Sequence, residues 1–261
     1  MKPATYLARI EYRGPFKPSL ETLRGLHAAH MYAVPFENLD IVPLHRSIAL
    51  DEAALWRKLV EERRGGFCYE LNGIFAWLLK QAGFSVRYLN ARVFSRDGKL
   101  GIDFDHLALL VGIPGETGHW LADVGFGDSF VEPLRLEEGE QPQGLRTYRL
   151  ESTGAGYITW QRNYDGTWER EYFFDLLPRS FPADYEAGCL YHQRSPASSF
   201  TRSSVVSRAT RRGRISLQED RLIVTEDGTR RDQELHPGEW QAKLKEHFGI
   251  VLEMPREHPQ G

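Results

Sequence analysis

Cysteine is scarce in this chain, with only Cys68 and Cys189 among 261 residues. Two distant thiols make no disulfide framework and no zinc-ligand spacing. Long hydrophobic runs are missing too, since no apolar stretch reaches the roughly 18 residues of a membrane helix. Charge of one sign is also lacking. Lys and Arg number 33 against 36 Asp and Glu, and the net charge of −3 gives no overall pull toward nucleic acid or an anionic membrane. Residues 1–14 lack the apolar core of a secretory leader, which with unpaired cysteines leads us to expect a cytoplasmic protein with reduced thiols. There is no internal repeat and no low-complexity tract. What is plentiful is apolar and aromatic content, 41% and 12%. A chain of this length can bury a sizeable core, as one large domain or two to three small ones.

The periodicity changes along the chain. Up to about residue 80 it is helical. Ser19 is placed to cap a helix carrying Leu20, Leu23, His27 and His30, and Asp51 to cap one carrying Leu55, Trp56, Leu59 and Val60. From Phe84 the period moves toward two, and short strands with Gly, Pro and Asp turns continue to about residue 175, as in a small antiparallel barrel or sandwich. The last third is mixed. Residues 215–218 and 221–225 flank Glu219-Asp220 as a hairpin, Asp227-Gly228 marks a second turn, and Trp240, Leu244 and Phe248 space as a closing helix between Pro237 and Gly249. The tail Pro255–Gly261 is expected to fray.

Cys68 stands out by its surroundings, Arg64-Gly65-Gly66-Phe67-Cys68-Tyr69-Glu70-Leu71-Asn72. Immediately after it, Leu71, Ile74, Phe75, Leu78 and Leu79 mark one face of a helix, and Gly83 is placed to end it. Cys68 is therefore expected at a helix N-terminus, where free N–H groups and the positive dipole end favour the nucleophilic thiolate. The plainer alternative is a small buried hydrophobe. A catalytic thiol needs a base, usually His held by a carboxylate. Residues 105–112 and 119–124 read as two strands about a turn centred on Pro114-Gly115, a register that sets His106 directly opposite Asp123 on one face. A one-residue slip would separate them.

The Arg64–Asn72 stretch, Asp105-His106, Asp123-Val124-Gly125-Phe126-Gly127 and the upstream Pro35-Phe36-Glu37-Asn38-Leu39 together resemble the arylamine N-acetyltransferase family, in order and in spacing, most strongly over residues 5 to about 130. The resemblance implies an α+β fold with a papain-like cysteine-triad core: an N-terminal helical bundle (1–83), a middle antiparallel β-barrel (84–190) and a C-terminal α/β lid (191–261). It implies a triad of Cys68, His106 and Asp123, acetyl-coenzyme A as co-substrate with no tightly bound cofactor, and arylamines, hydrazines or N-hydroxyarylamines as acceptors through an acetyl-cysteine intermediate. It sets Phe36, Val93 and Phe126 at the acceptor pocket.

Other residues are weighed on their own chemistry. Phe200 is a further candidate for contact with donor or acceptor. Gly125 and Gly127 allow close backbone approach to a ligand such as the coenzyme, or are ordinary turn residues. Arg194, Arg202, Arg208, Arg211, Arg212 and Arg214 fall in a stretch without Asp or Glu, which is either an anion-facing surface or a solvated loop. Cys189 reads as structural. His27 and His30 lack an acidic partner, so no metal site is expected. Two neighbouring chemistries stay open: an amide synthase closing a macrolactam from a carrier-bound acyl chain, and a cysteine-triad hydrolase.

Overall fold

The structure is a computed structural model, and it describes residues 1–253. The expected fraying of Pro255–Gly261 lies outside that range. Helices dominate the first third. Helix α1 spans Pro3–Arg9, and α2, Leu20–Ala33, begins at Ser19, whose hydroxyl accepts the Thr22 N–H as expected of its cap. Helix α3 (Glu52–Trp56) is capped by the Asp51 carboxylate and runs on into a single π turn, Arg57–Glu61. Helix α4 spans Cys68–Gln81, and Gly83, at φ +91°, ends it in the left-handed conformation glycine adopts freely. Cys68 through Leu79 are all buried. The amphipathic face expected from Leu71, Ile74 and Phe75 understates this helix, which is enclosed on every side and therefore forces the polar Glu70 and Asn72 to find partners inside.

An eight-stranded antiparallel sheet follows. Its strands are β2 (Ser85–Val93), β3 (His106–Gly112), β4 (His119–Ala122), β5 (Leu134–Arg135), β6 (Gly139–Gln143), β7 (Arg146–Ser152), β8 (Tyr157–Arg162) and β9 (Trp168–Phe174). They lie in the order β5-β4-β3-β2-β9-β8-β7-β6. The sheet curls until its two edges meet, and side chains complete the barrel: Gln141 hydrogen-bonds the backbone of Arg135, and Gln143 that of Val131 and Glu132. One face of β3, with Leu107, Leu109 and Val111, packs with α4 in the main apolar core. The other face, with Ala108 and Leu110, joins Leu121, Phe130, Tyr148 and Phe174 inside the barrel.

Helix α5 (Glu186–Arg194) brings Cys189 into the main core. The second sheet has the order β1-β10-β11-β12-β13. Its strands are β1 (Phe36–Glu37), β10 (Val205–Thr210), β11 (Gly213–Gln218), β12 (Arg221–Glu226) and β13 (Thr229–Glu234). The hairpin expected at Glu219-Asp220 joins β11 to β12, with Leu217 opposite Leu222. Asp227 and Gly228, both at positive φ, make the two-residue turn into β13. Helix α6 (Glu239–Phe248) lays Leu244 and Phe248 on this sheet and ends at Gly249, while Pro237 precedes the actual cap, Gly238. Strand β1 ties the sheet to the helical part, because Phe36 pairs with Ser207 on one side and bridges to Gly66 on the other.

Candidate active site

Cys68 is the first residue of α4, so its N–H has no acceptor within the helix. The preceding turn is fixed by the Phe67 N–H, which donates to the Glu70 carboxylate at 3.2 Å. Glu70 continues a buried chain of ion pairs: Lys58 bridges Glu70 and Asp40 at 2.7 Å each, and Arg64 bridges Asp40 at 3.3 Å and Glu37 at 2.7 Å. The chain connects the Phe36-Glu37-Asn38 segment to the start of α4. Burial pushes the Glu70 carboxyl up to about 7, even though the Lys58 ammonium opposes that rise.

His106 opens β3 and Asp123 follows β4, and their side chains meet with His106 Nε2 2.7 Å from Asp123 Oδ2. The expected register is corrected. Leu109 pairs with Ala122 and Gly112 with His119, a two-residue shift from the pairing that would set His106 directly opposite Asp123. The shift preserves the face, so Asp123 reaches His106 as a diagonal neighbour. Asp123 accepts two further hydrogen bonds on Oδ1, from Asn72 Nδ2 at 2.8 Å and the Gly125 N–H at 2.9 Å. With Nε2 committed to Asp123, Nδ1 is the ring nitrogen left free to serve Cys68. Burial disfavours charge on the imidazole, but the charge and hydrogen bond of Asp123, followed by those of Cys68, outweigh it and raise His106 to about 10. For Asp123 burial is likewise overcome, first by His106 and then by the Asn72 and Gly125 donors, and its carboxyl lies below the usual range. Cys68, His106 and Asp123 are 4%, 3% and 0% exposed, so this charge pattern is held out of water.

Two residues of the site escaped the sequence reading. Asn72, one helical turn beyond Cys68, donates to Leu107 O at 2.6 Å as well as to Asp123, and accepts the Val124 N–H at 2.9 Å. It locks α4 to both strands of the pair. His27, weighed only as a metal ligand, receives the Asp123 N–H on Nε2 at 3.1 Å and donates from Nδ1 to Val131 O at 2.6 Å. The tautomer is assigned from this network, since Nε2 must accept. Burial pushes His27 down to about 4, which keeps it neutral for the task. His30 instead meets Tyr6 Oη, and no cluster among the described residues is arranged to hold a metal. Asn72 had a signal, two polar positions inside an apolar helix; His27 had none beyond its place on the buried face of α2.

The aromatic candidates gather beside the triad. A cleft of about 360 Å³ is lined by Phe36, Phe126, Gly127 and Phe200. Phe126 stands edge-on to His106 at 5.3 Å between ring centroids, and Phe200 lies 5.9 Å from Phe36 and 6.0 Å from Phe67. Val93, like Phe126, packs against the barrel core, and it is not part of the cleft wall. Gly125 makes its close approach within the protein, because a Cβ there would stand 2.8 Å from Cys68 Cα and 2.8 Å from Asn72 Nδ2. The six-arginine stretch is dispersed. Arg208 donates to His247 O, Arg212 pairs with Asp227, and Arg194 and Arg202 are exposed. Only Arg214 lines the aromatic cleft, where with Arg146 it clamps Asp128. Cys189 is buried and receives a hydrogen bond from Gln193.

The sequence profile of the N-acetyltransferase family matches residues 19–257. An arylamine N-acetyltransferase of Mycolicibacterium smegmatis is 37% identical over 228 residues, covering 85% of this chain and 82% of the relative. An arylamine N-acetyltransferase / N-hydroxyarylamine O-acetyltransferase of Salmonella typhimurium is 40% identical over 197 residues, 75% of this chain and 68% of its own length. The structure of the Mycobacterium marinum arylamine N-acetyltransferase in complex with CoA superposes with a TM-score of 0.89 at 34% identity, covering 95% of this chain and 93% of that one.

Proposed function

This chain belongs to the arylamine N-acetyltransferase family, and from that premise we propose how its own residues move an acetyl group from acetyl-coenzyme A to an aromatic amine. The reading is carried by one observation: a cysteine at the first residue of a buried helix, against a histidine whose far nitrogen is held by a buried aspartate. The Cys68 thiolate attacks the acetyl carbonyl of the thioester, and the carbon–sulfur bond to coenzyme A breaks. The departing thiolate takes the proton that His106 carries on Nδ1. The amine nitrogen of an arylamine or hydrazine, or the oxygen of an N-hydroxyarylamine, then attacks acetyl-Cys68. His106 accepts its proton, and Cys68 leaves as thiolate. Asp123 keeps the ring oriented and stabilises its charged form. The Cys68 N–H is the donor nearest the oxyanion that forms at each step.

Phe36, Phe126 and Phe200 suit a flat aromatic acceptor and exclude the water that would hydrolyse acetyl-Cys68. Val93 packs against the barrel core, as Phe126 does. The cleft continues past Gly127 to Arg146 and Arg214, both held on Asp128, and to Arg230, held on Asp232, and the donor's phosphates would meet these cations in competition with the two carboxylates. Gly125 serves the donor only indirectly, by letting the loop close on Cys68. Acetyl-coenzyme A and free thiols at Cys68 and Cys189 both suit the cytoplasm, and no helix among the described residues is long and apolar enough to cross a membrane. The relatives' names favour an amine acceptor over the macrolactam and hydrolase readings.

Intact mass after brief incubation with acetyl-coenzyme A and no amine tests the proposal. One acetyl group should be gained, absent in Cys68→Ala and discharged by an arylamine or hydrazine. No adduct on a thiol that still alkylates would count against acetyl-coenzyme A as donor, and prompt acetate release would point to a hydrolase.

A further inference from the structure

A second assembly of hydroxyl, imidazole and carboxylate lies beside the triad. Ser198 Oγ is 3.1 Å from His192 Nδ1, and His192 Nε2 is 3.1 Å from both the Asp105 backbone oxygen and Asp105 Oδ1. Ser198 and His192 are 3% and 6% exposed, and neither lines the aromatic cleft. The assembly is therefore read by what its ends hold. At one end, Ser198 Oγ accepts the backbone N–H of Phe200 at 3.2 Å. At the other, Asp105 Oδ2 accepts the N–H of Val93 at 3.1 Å.

The hydrogen bonds converge on the Asp105 carboxylate, with the His192 tautomer assigned from the network. The Phe200 N–H donates to Ser198, the Ser198 hydroxyl to His192 Nδ1, and His192 Nε2–H to Asp105, which also takes the Val93 N–H. The chain spans from Phe200 to Val93 at the end of barrel strand β2, and it passes through the residue next to His106. The His192 ring also packs 5.2 Å from Phe200 and 6.1 Å from Tyr69, the neighbour of Cys68. The Phe200 carbonyl is held separately by Asn38 Nδ2 at 2.9 Å. Both backbone groups of Phe200 are thus fixed, one from the β1 segment and one through His192.

We propose that His192 is a positioning residue for acceptor specificity: through Ser198 and Asp105 it sets Phe200 at a fixed height over the cleft, and so selects flat aromatic amines over small hydrazines. The inference rests on the acetyl-transfer reading above. It concerns only the second half-reaction, since His192 has no contact with Cys68, His106 or Asp123 among its hydrogen bonds.

The experiment is a double-mutant cycle between His192→Ala and Phe200→Ala, with acetylation of Cys68 and discharge of acetyl-Cys68 measured separately. His192→Ala should raise KM for an aniline-type acceptor about fivefold to tenfold, the scale of one lost buried hydrogen-bond chain. It should leave Cys68 acetylation and the kcat/KM for hydrazine within about twofold of the parent. On the Phe200→Ala background it should have no further effect. Ser198→Ala, a smaller cut in the same chain, should shift the aniline KM in the same direction even if His192→Ala folds poorly. Equal losses for aniline and hydrazine, slower acetylation of Cys68, or full additivity with Phe200→Ala would overturn the proposal. Failure of the parent protein to acetylate Cys68 at all would instead remove the transferase reading on which it stands.

Discussion

Asp123→Asn is the substitution that isolates charge from shape. The side chain keeps its volume in a site with no exposed surface, so packing is preserved. The carboxylate receives His106 Nε2–H, Asn72 Nδ2–H and the Gly125 N–H on its two oxygens. An amide offers one oxygen and sets an NH2 group against a donor, so one partner is left unsatisfied. The larger effect is electrostatic. His106 stands at about 10 against an ordinary 6.5, a preference for the charged ring of on the order of 5 kcal/mol. Without the carboxylate, burial is opposed only by Cys68, and the ring moves toward the neutral form. The amide keeps some dipole, so we work with a loss of about 4 kcal/mol, roughly a thousandfold in rate. Single-turnover acetylation of Cys68 reads this directly, and alkylation of Cys68 by iodoacetamide at pH 7 reads the thiolate without any donor. Both should fall steeply while the melting temperature changes little. Acetylation within tenfold of the parent, with alkylation unchanged, would refute the assignment of Asp123.

Arg64→Ala leaves Glu37 buried without its cation, while Asp40 keeps Lys58, and should cost about 3–5 kcal/mol, read as a lower urea midpoint. Gly125→Ala drives a Cβ against Cys68 Cα and Asn72 Nδ2, and should destabilise by about 1–3 kcal/mol while slowing acetylation, both measured on one preparation. His27 is depressed to about 4, so below its ordinary 6.5 the unfolded chain binds a proton that the folded one refuses. Stability is therefore present above about 6.5 and is lost as the pH falls toward 4, by up to about 3 kcal/mol from this ring. Denaturant titrations at pH 7 and pH 5 should show a smaller acid loss in His27→Gln than in the parent.

Local rules carried much of the architecture. Ser19, Asp51 and Gly83 act where caps and stops were expected because their chemistry is contained within a turn or two of chain. The hairpins at residues 219–220 and 227–228 are local in the same sense. Cys68, His106 and Asp123 were nameable, but the register joining two of them was misplaced by two residues, since the turn between β3 and β4 carries no residue that fixes its centre. The alternation of side chains kept the outcome, because an even shift leaves the face unchanged. The partners of Asn72 and His27 were illegible for a different reason. Their partners lie 51 and 96 positions away, and nothing in a helical period announces which buried polar group will meet a strand end. The arginines of residues 194–214 looked alike in sequence, yet tertiary neighbours gave each a separate partner or none.

Strand β1 is only two residues long, yet Asn38, just beyond it, is bonded to Val205, 167 positions downstream. During synthesis the ribosome delivers the thiol early and the Phe200 wall late. At the usual pace of translation, the two are separated by on the order of ten seconds. Once His106 and Asp123 have followed it, Cys68 waits for the rest of that interval without the Phe200 wall, more open to oxidants than in the finished protein, where it is 4% exposed. Damage to this protein is therefore expected to concentrate in newly made chains, and a slow stretch of codons between residues 68 and 205 would be a hazard that selection has reason to avoid.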